Sequence, residues 1–402
     1  MGIVNLCRIV FEFVPGSGGS AVHTLETSCH MADYVNRQFI IAPAASQDTA
    51  NLDNSFPFNV CRIGYCRFEL LGKIKMRFLH WLPVAPLVHI SFGLGAIRVI
   101  IALNNRYGID IIQAHGVGMG TVGTIAGWII RKPVVWMMDG TCLAYSRICG
   151  VLESITTVIF KPRHLFVADD GSPAPEKFTR LLKNRVTVVH HAIDTDRYKP
   201  LPKPARLLAN VKRGKNPFIV FSPHSLIPVK GQDYAIRAFA HLVHGRNITG
   251  AVMIIAGKGA LEERLKQLVK SLSLTDYVYF LRSIPKGEMR DYYALSDAVL
   301  ATSMYSNMNR VTQEAMACAK PVVAFNSGGT NRVLTDGQTG LMAEPGNTSM
   351  LANKLELIYK NGAVRENIGK RAREFIVRER NWKKRIQKEL AVYHEMLEYN
   401  VS

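Results

Sequence analysis

Three stretches of the 402-residue chain hold chemistry-bearing residues at spacings a ligand could use. The first is Pro15-Gly16-Ser17-Gly18-Gly19-Ser20-Ala21, which follows the apolar run IVNLCRIVFEFV and opens a helical pattern. Glycines let the backbone approach an anion, and a helix start offers unpaired N–H groups and the positive end of the dipole. Gly16, Gly18 and Ala21 also fit the loose dinucleotide spacing G-x-G-x-x-A. The next strand, QFIIAPA, lacks the acidic residue that would hold a ribose, so NAD binding is not expected. The second stretch is Ile227-Pro228-Val229-Lys230-Gly231. A lysine just before a helix-opening glycine can neutralise a phosphate, although taken alone it reads as a solvated surface residue. The third is SNMNRVTQEAMACA, from Ser306 to Ala319, a polar loop leading into a helix with Arg310 and Glu314 one turn apart. A carboxylate within QEAMACA is costly to bury alone. Glu314 must therefore face a ligand or be paired, and Arg310 stands at the i,i+4 position to pair it.

These stretches fall between short apolar runs that alternate with amphipathic ones. In the second half, 217–223, 251–259, 277–281, 298–302 and 321–329 read as strands. The helices between them are 232–245, 261–272, 287–297 and 311–319. Strands this apolar, separated by helices, indicate a parallel sheet covered on both faces. The first half repeats the rhythm less cleanly, with a helix from Ala21 to Val35 and strands at QFIIAPA, 109–116, 133–140 and 186–194. The expected fold is α/β: two doubly wound Rossmann-like domains facing each other across a cleft, with a C-terminal helix. The expected boundaries are 1–195, 196–375 and 376–402, the last segment being an amphipathic helix near the interdomain region. Ligands of such sheets bind beyond the carboxyl ends of the strands.

Composition excludes several classes. The chain is 48% hydrophobic and 20% charged, which rules out a disordered polymer. Lysine and arginine outnumber the acids by 50 to 31, for a net charge of +19, and most of the excess lies after residue 195. That sign favours anionic partners. Nucleic acid is not expected, because no basic helix with interleaved aromatics is present. Seven cysteines without C-x-x-C spacing read as free thiols in a reducing compartment, and no metal-ligand constellation is visible. No secretory signal is expected from the amino-terminal residues. Phe78 to Leu103 is interrupted by His80, Pro83, Pro86, His89 and Arg98. It reads as a buried or surface-lying helix rather than a membrane span.

Taken together, the pieces resemble the retaining nucleotide-sugar glycosyltransferases of family 4, which have the GT-B fold. The matching pieces are GSGGS, QAHG (113–116), HHAIDTDRYKP (190–200), PVKGQDYAIRAFA (228–240), IIAGKG (254–259), SDAVLATS (296–303), EAMACAKPVVAFNSGG (314–329) and TDGQTGLMAEPGN (335–347). The resemblance implies hexose transfer from a nucleotide-diphosphate sugar, most simply a UDP- or GDP-sugar, to a glycan or lipid acceptor. It also implies retention, and no metal or other cofactor. By resemblance, Glu314 accepts hydrogen bonds from the donor ribose, Lys230 binds the leaving diphosphate, and His115 lies near the sugar. Gly18 and Gly19 supply amides to the diphosphate. Ser306 stands where the family's first glutamate is usual, and Asn307-Met308-Asn309 replaces Gly-Phe-Gly. Ser306, Asn307, Asn309 and Arg310 keep groups able to hold sugar and phosphate. Ser225 replaces an arginine, and His224, when protonated, or Arg310 is expected to compensate. Arg282 to Ile284 would meet the base. Asp139 and Arg332 also occupy family positions, with less defined roles.

The acceptor side is read from Lys73, Lys75 and Arg77, which precede Phe78, Leu79, Trp81 and Leu82. Cations beside apolar residues suit an anionic membrane interface. A cytoplasmic protein, associated with the inner membrane face, is expected. The alternative is a weakened family member that binds nucleotide sugar without transferring it. A nucleotide-sugar epimerase of the same architecture is a further rival.

Overall fold

The computed structural model describes residues 4–15, 19–45, 48–64, 84–138, 147–169, 171–211, 214, 216–285, 287–305 and 310–398. They form two compact units: Met1–His191 with Trp382–Ser402, and Ala192–Asn381.

The first unit begins with β1 (Asn5–Ile9), α1 (Gly19–Met31), β2 (Arg37–Pro43), α2 (Ala50–Asn54) and β3 (Asn59–Ile63). It continues with α3 (Val84–Tyr107), β4 (Ile111–His115), α4 (Gly116–Ile130), β5 (Val134–Met138) and α5 (Arg147–Phe160). Then come β6 (His164–Ala168), α6 (Ala174–Leu182) and β7 (Val186–Val189). All seven strands are parallel, in the order β3-β2-β1-β4-β5-β6-β7.

The second unit runs α7 (Ala205–Leu208), β8 (Phe218–Pro223), α8 (Gln232–Ala240), β9 (Ala251–Ala256), α9 (Glu262–Ser271) and β10 (Val278–Leu281). It goes on through α10 (Met289–Leu295), β11 (Ala298–Ala301), α11 (Arg310–Ala317), β12 (Val322–Phe325) and β13 (Leu341–Ala343). It ends with α12 (Thr348–Lys360) and α13 (Gly362–Glu379). Its six parallel strands are ordered β10-β9-β8-β11-β12-β13. The side-chain period of two splits each central strand between two core layers. Phe218 and Val220 of β8 face one layer, and Ile219 and Phe221 face the other. This is why these strands are apolar throughout rather than alternating.

The last helix, α14 (Trp382–Glu398), belongs to the first unit. The reason is a buried polar cluster. Arg8 of β1 meets Glu389 at 3.2 Å, with both side chains fully buried. Arg385 reaches the same carboxylate at 2.9 Å. Tyr393 Oη lies 2.9 Å from Gln113 of β4. The segment that the sequence sets apart as 376–402 is thus divided. α13 stays with the second unit, where Arg373 donates to the carbonyls of Thr195, Tyr198 and Ala317. The chain passes between units after His191, not after residue 195, and again after Asn381.

Candidate functional site

In both sheets the strand order reverses next to the first strand of the unit. The reversal lies between β1 and β4 in one and between β8 and β11 in the other. Helices leave the two strands on opposite faces there, opening a crevice at the carboxyl ends.

In the second unit the turns beyond β8, β9 and β11 are laced together by backbone contacts. Leu226 N donates to Lys258 O at 2.9 Å, and Met304 N donates to Val229 O at 2.9 Å. Thr302 Oγ1 donates to Gly231 O at 2.7 Å. Two glycines make this approach possible. Gly231 has φ +61° and a Cβ there would lie 2.3 Å from Thr302 O. At Gly257, φ +151°, a Cβ would lie 2.1 Å from His224 O. Any other residue would push the three turns apart.

Lys230 ends the short turn Pro228–Lys230 that leads into α8. Burial draws its pKa below the usual lysine range. No ion pair engages its ammonium among the described residues. His224 follows β8 directly. Its Nε2 is shielded from solvent and has no hydrogen-bond partner among the described residues. Burial, and then the Lys230 charge, push its pKa down to about 3. His224 is therefore neutral at physiological pH and does not supply the second cation expected of it. Ser225 is exposed. Ser303, just past β11, also has a buried hydroxyl without a partner among the described residues. Buried polar atoms are normally satisfied, so two orphans at neighbouring strand ends mark a place where a polar ligand would complete the structure.

Glu314 lies one turn into α11 and is 7% exposed. Tyr293 Oη donates to its Oε2 at 2.9 Å, and Arg310 reaches its Oε1 at 3.2 Å. Burial, and then the nearby Glu314 carboxylate, raise the pKa of the Tyr198 phenol. The structure thus pairs Glu314 rather than leaving it alone against a ligand. A carboxylate accepts about four hydrogen bonds, so capacity to accept from further donors remains.

Arg282 is exposed beyond β10, where its charge acts on Glu262. Ile284 packs its side chain against the core. In the first unit, His115 ends β4 and occupies the N-cap of α4, while Gly19 begins α1 beyond β1. These two expected residues therefore flank one switch point. Gly18, Lys73, Lys75, Arg77, Asp139, Ser306, Asn307 and Asn309 lie outside the described residues. Among the described residues, no group of three or more His, Cys, Asp or Glu side chains is placed to hold a metal ion. No described helix is long and apolar enough to cross a membrane. The expectations missed Ser303 and Tyr293. Ser303 was visible as the polar residue ending an apolar strand, whereas the role of Tyr293 depends on tertiary packing.

Two Rossmann-like units with these strand orders define the chain as an α/β protein of the GT-B type. Residues 206–375 match the model for glycosyl transferases group 1. A similar curated protein is the GDP-mannose-dependent alpha-(1-6)-phosphatidylinositol monomannoside mannosyltransferase of Mycolicibacterium smegmatis. It is 33% identical over 160 residues, which are 38% of this chain and 41% of that protein, so the match spans less than half of the relative's length. Among solved structures, Anabaena HepE in complex with UDP superimposes with a TM-score of 0.76 at 20% identity, covering 98% of this chain and 100% of the other. A glycosyltransferase from Rickettsia africae gives a TM-score of 0.79 at 16% identity, covering 99% of each.

Proposed function

We propose that the protein transfers a hexose from a nucleotide-diphosphate sugar to a glycan or lipid acceptor, with retention and without a metal ion. One observation carries this reading. The carboxyl ends of the adjacent strands β8 and β11 hold a half-buried lysine, two buried polar atoms without partners among the described residues, and, one helical turn on, a fixed carboxylate. That set matches the parts of a nucleoside diphosphate: phosphate at Lys230, hydrogen-bonding oxygens at His224 and Ser303, ribose hydroxyls at Glu314. The donor named for the similar mannosyltransferase is GDP-mannose, and the ligand of the similar solved structure is UDP. Both belong to this ligand class.

In the proposed reaction the bond between the anomeric carbon and the phosphate oxygen breaks, and its electron pair stays with the diphosphate. The acceptor oxygen attacks from the same face, and its proton passes to the departing phosphate. Negative charge grows on the phosphate in the transition state, and preorganised donors aimed at it are the main catalytic resource. Lys230 and the amides at the starts of α8 and α11 fill that role; Arg310 adds charge although Glu314 shares it. His115 and Ser306 act near the sugar, and Gly18, Gly19, Asn307 and Asn309 complete the diphosphate and sugar contacts. A lipid acceptor would place the protein at the cytoplasmic face of a membrane.

Incubating the protein with UDP- and GDP-hexoses and a crude lipid or glycan extract tests this reading. Labelled sugar should appear in acceptor with wild type and fall at least tenfold with Lys230→Ala. A second reading, binding without transfer, rests on the exposed Ser225 where the family has an arginine. Nucleotide binding without any product in that assay would select it.

A further inference from the structure

A cavity of about 480 Å³ lies in the first unit, against the edge strand β3 and between β2, α2 and α3. That size suits a small molecule. Phe39, the third residue of β2, pairs with Asn59, the first residue of β3, and both line the cavity. It therefore sits at the amino-terminal half of these strands. His115 and Gly19 lie at the carboxyl ends of β4 and β1, so the cavity is separate from that switch point. Much of its wall is aromatic. Phe56 stacks on Phe58 at 5.3 Å, and Phe39 stacks on Tyr107 at 5.1 Å. Phe13 braces the first pair edge-on, at 6.1 and 6.4 Å. Val99 and Leu103 of α3 add aliphatic surface. Rings held by one another keep their places without a ligand, so this wall is preformed.

Charge selects the occupant. The acid in the wall, Asp53, is already satisfied. Arg62 donates to its two oxygens at 2.7 and 2.9 Å, and Thr49 donates to it at 2.8 Å. The charge left over is positive. Arg106 lines the cavity, with its guanidinium 5.1 Å from the centroid of the Tyr107 ring. The guanidinium of Arg37 lies 4.8 Å from the same ring. Both arginines are exposed, and no acid pairs with either among the described residues. Two like charges drawn to one ring repel each other, and an anion shared between them relieves that repulsion. Guanidinium groups stack on rings and grip phosphate through paired N–H donors. Asn54 and Asn59, both exposed at the wall, add amides that can meet polar substituents. A ring-lined cavity alone would admit any apolar molecule, and a surface arginine alone is a solvated charge. Side by side, they select a molecule with a flat apolar body and an anionic end.

We propose that this cavity binds a small aromatic phosphate, with its ring among Phe39, Phe56, Phe58 and Tyr107 and its phosphate at Arg37 and Arg106. This stands apart from the transfer reading, because it needs neither Lys230 nor Glu314. Calorimetric titration of phenyl phosphate, inorganic phosphate and phenol into the full chain tests it. Phenyl phosphate should bind about tenfold or more tighter than either fragment, since only it fills both halves of the site. Arg37→Gln with Arg106→Gln should weaken phenyl phosphate binding by about tenfold or more. Ala102 is exposed and lines the cavity, so Ala102→Trp should fill the space and abolish binding. Lys230→Met should leave it unaltered. The substituted side chains of the cavity variants are exposed, so melting temperatures should match wild type; if Ala102→Trp melts lower, the arginine variant alone decides. The proposal is overturned if phenyl phosphate does not bind, or if inorganic phosphate binds as tightly. It is equally overturned if the arginine variant binds like wild type, or if Lys230→Met removes the binding.

Discussion

Glu314 is held from two directions, by Tyr293 and Arg310. Removing the fully buried Tyr293 hydroxyl leaves Oε2 of the carboxylate short of its donor. Tyr293→Phe should therefore lower stability by about 1.5–3 kcal/mol, measured by urea unfolding, since hydrogen bonds to charged groups are the stronger ones. His224 gives a pH signature. An unfolded imidazole takes up a proton as pH falls through 6.5, while the folded ring resists until about 3. Protons therefore favour the unfolded chain between those values, and stability falls as pH falls through that window. His164 in the first unit behaves alike, with burial lowering its pKa to about 4. Unfolding midpoints should drop steadily below pH 6.5, and His224→Gln should flatten the slope; an unchanged slope would mean the ring titrates normally. At this scale Glu314 stood out in the sequence as an acid in an apolar stretch, whereas Lys230 and His224 gained their meaning only from the family resemblance. The charge state of His224 was not legible, because burial and the nearness of Lys230 arise only in the folded unit.

At the scale of elements, β8 to β12 were legible because two-sided burial makes them unbroken apolar runs. β3, with the mixed sequence NVCRI, and β13, three residues long, carry too little pattern to stand out. The allegiance of α14 was not legible either. Its key contact, Arg8 to Glu389, joins residues 381 positions apart. Breaking that contact from one side has a predictable outcome. Glu389→Ala would leave Arg8 and Arg385 buried without a counter-charge, and loss of one partner of a buried pair costs about 3–5 kcal/mol. The loss should appear in first-unit probes such as hydrogen exchange in β1 and β4. Normal protection there would contradict the assignment of α14.

At the scale of the whole molecule, each unit repeats the same plan, a parallel sheet reversing direction beside its first strand. The net charge of +19 is weighted toward the residues after 195, where the phosphate-facing groups are proposed to act. That weighting, and the glycines that bring the strand-end turns together, converge on a nucleoside diphosphate at β8 and β11. Calorimetric titration of UDP, GDP and ADP into wild type, Lys230→Met and Glu314→Gln tests this most directly. Glutamine still accepts from Tyr293, so the second variant keeps its fold. At least one nucleotide should bind wild type, with affinity falling tenfold or more in Lys230→Met, the loss of one charge-assisted contact of about 1.5–3 kcal/mol, and falling measurably in Glu314→Gln. Binding of none of the three, or binding unaltered in both variants, would contradict the account.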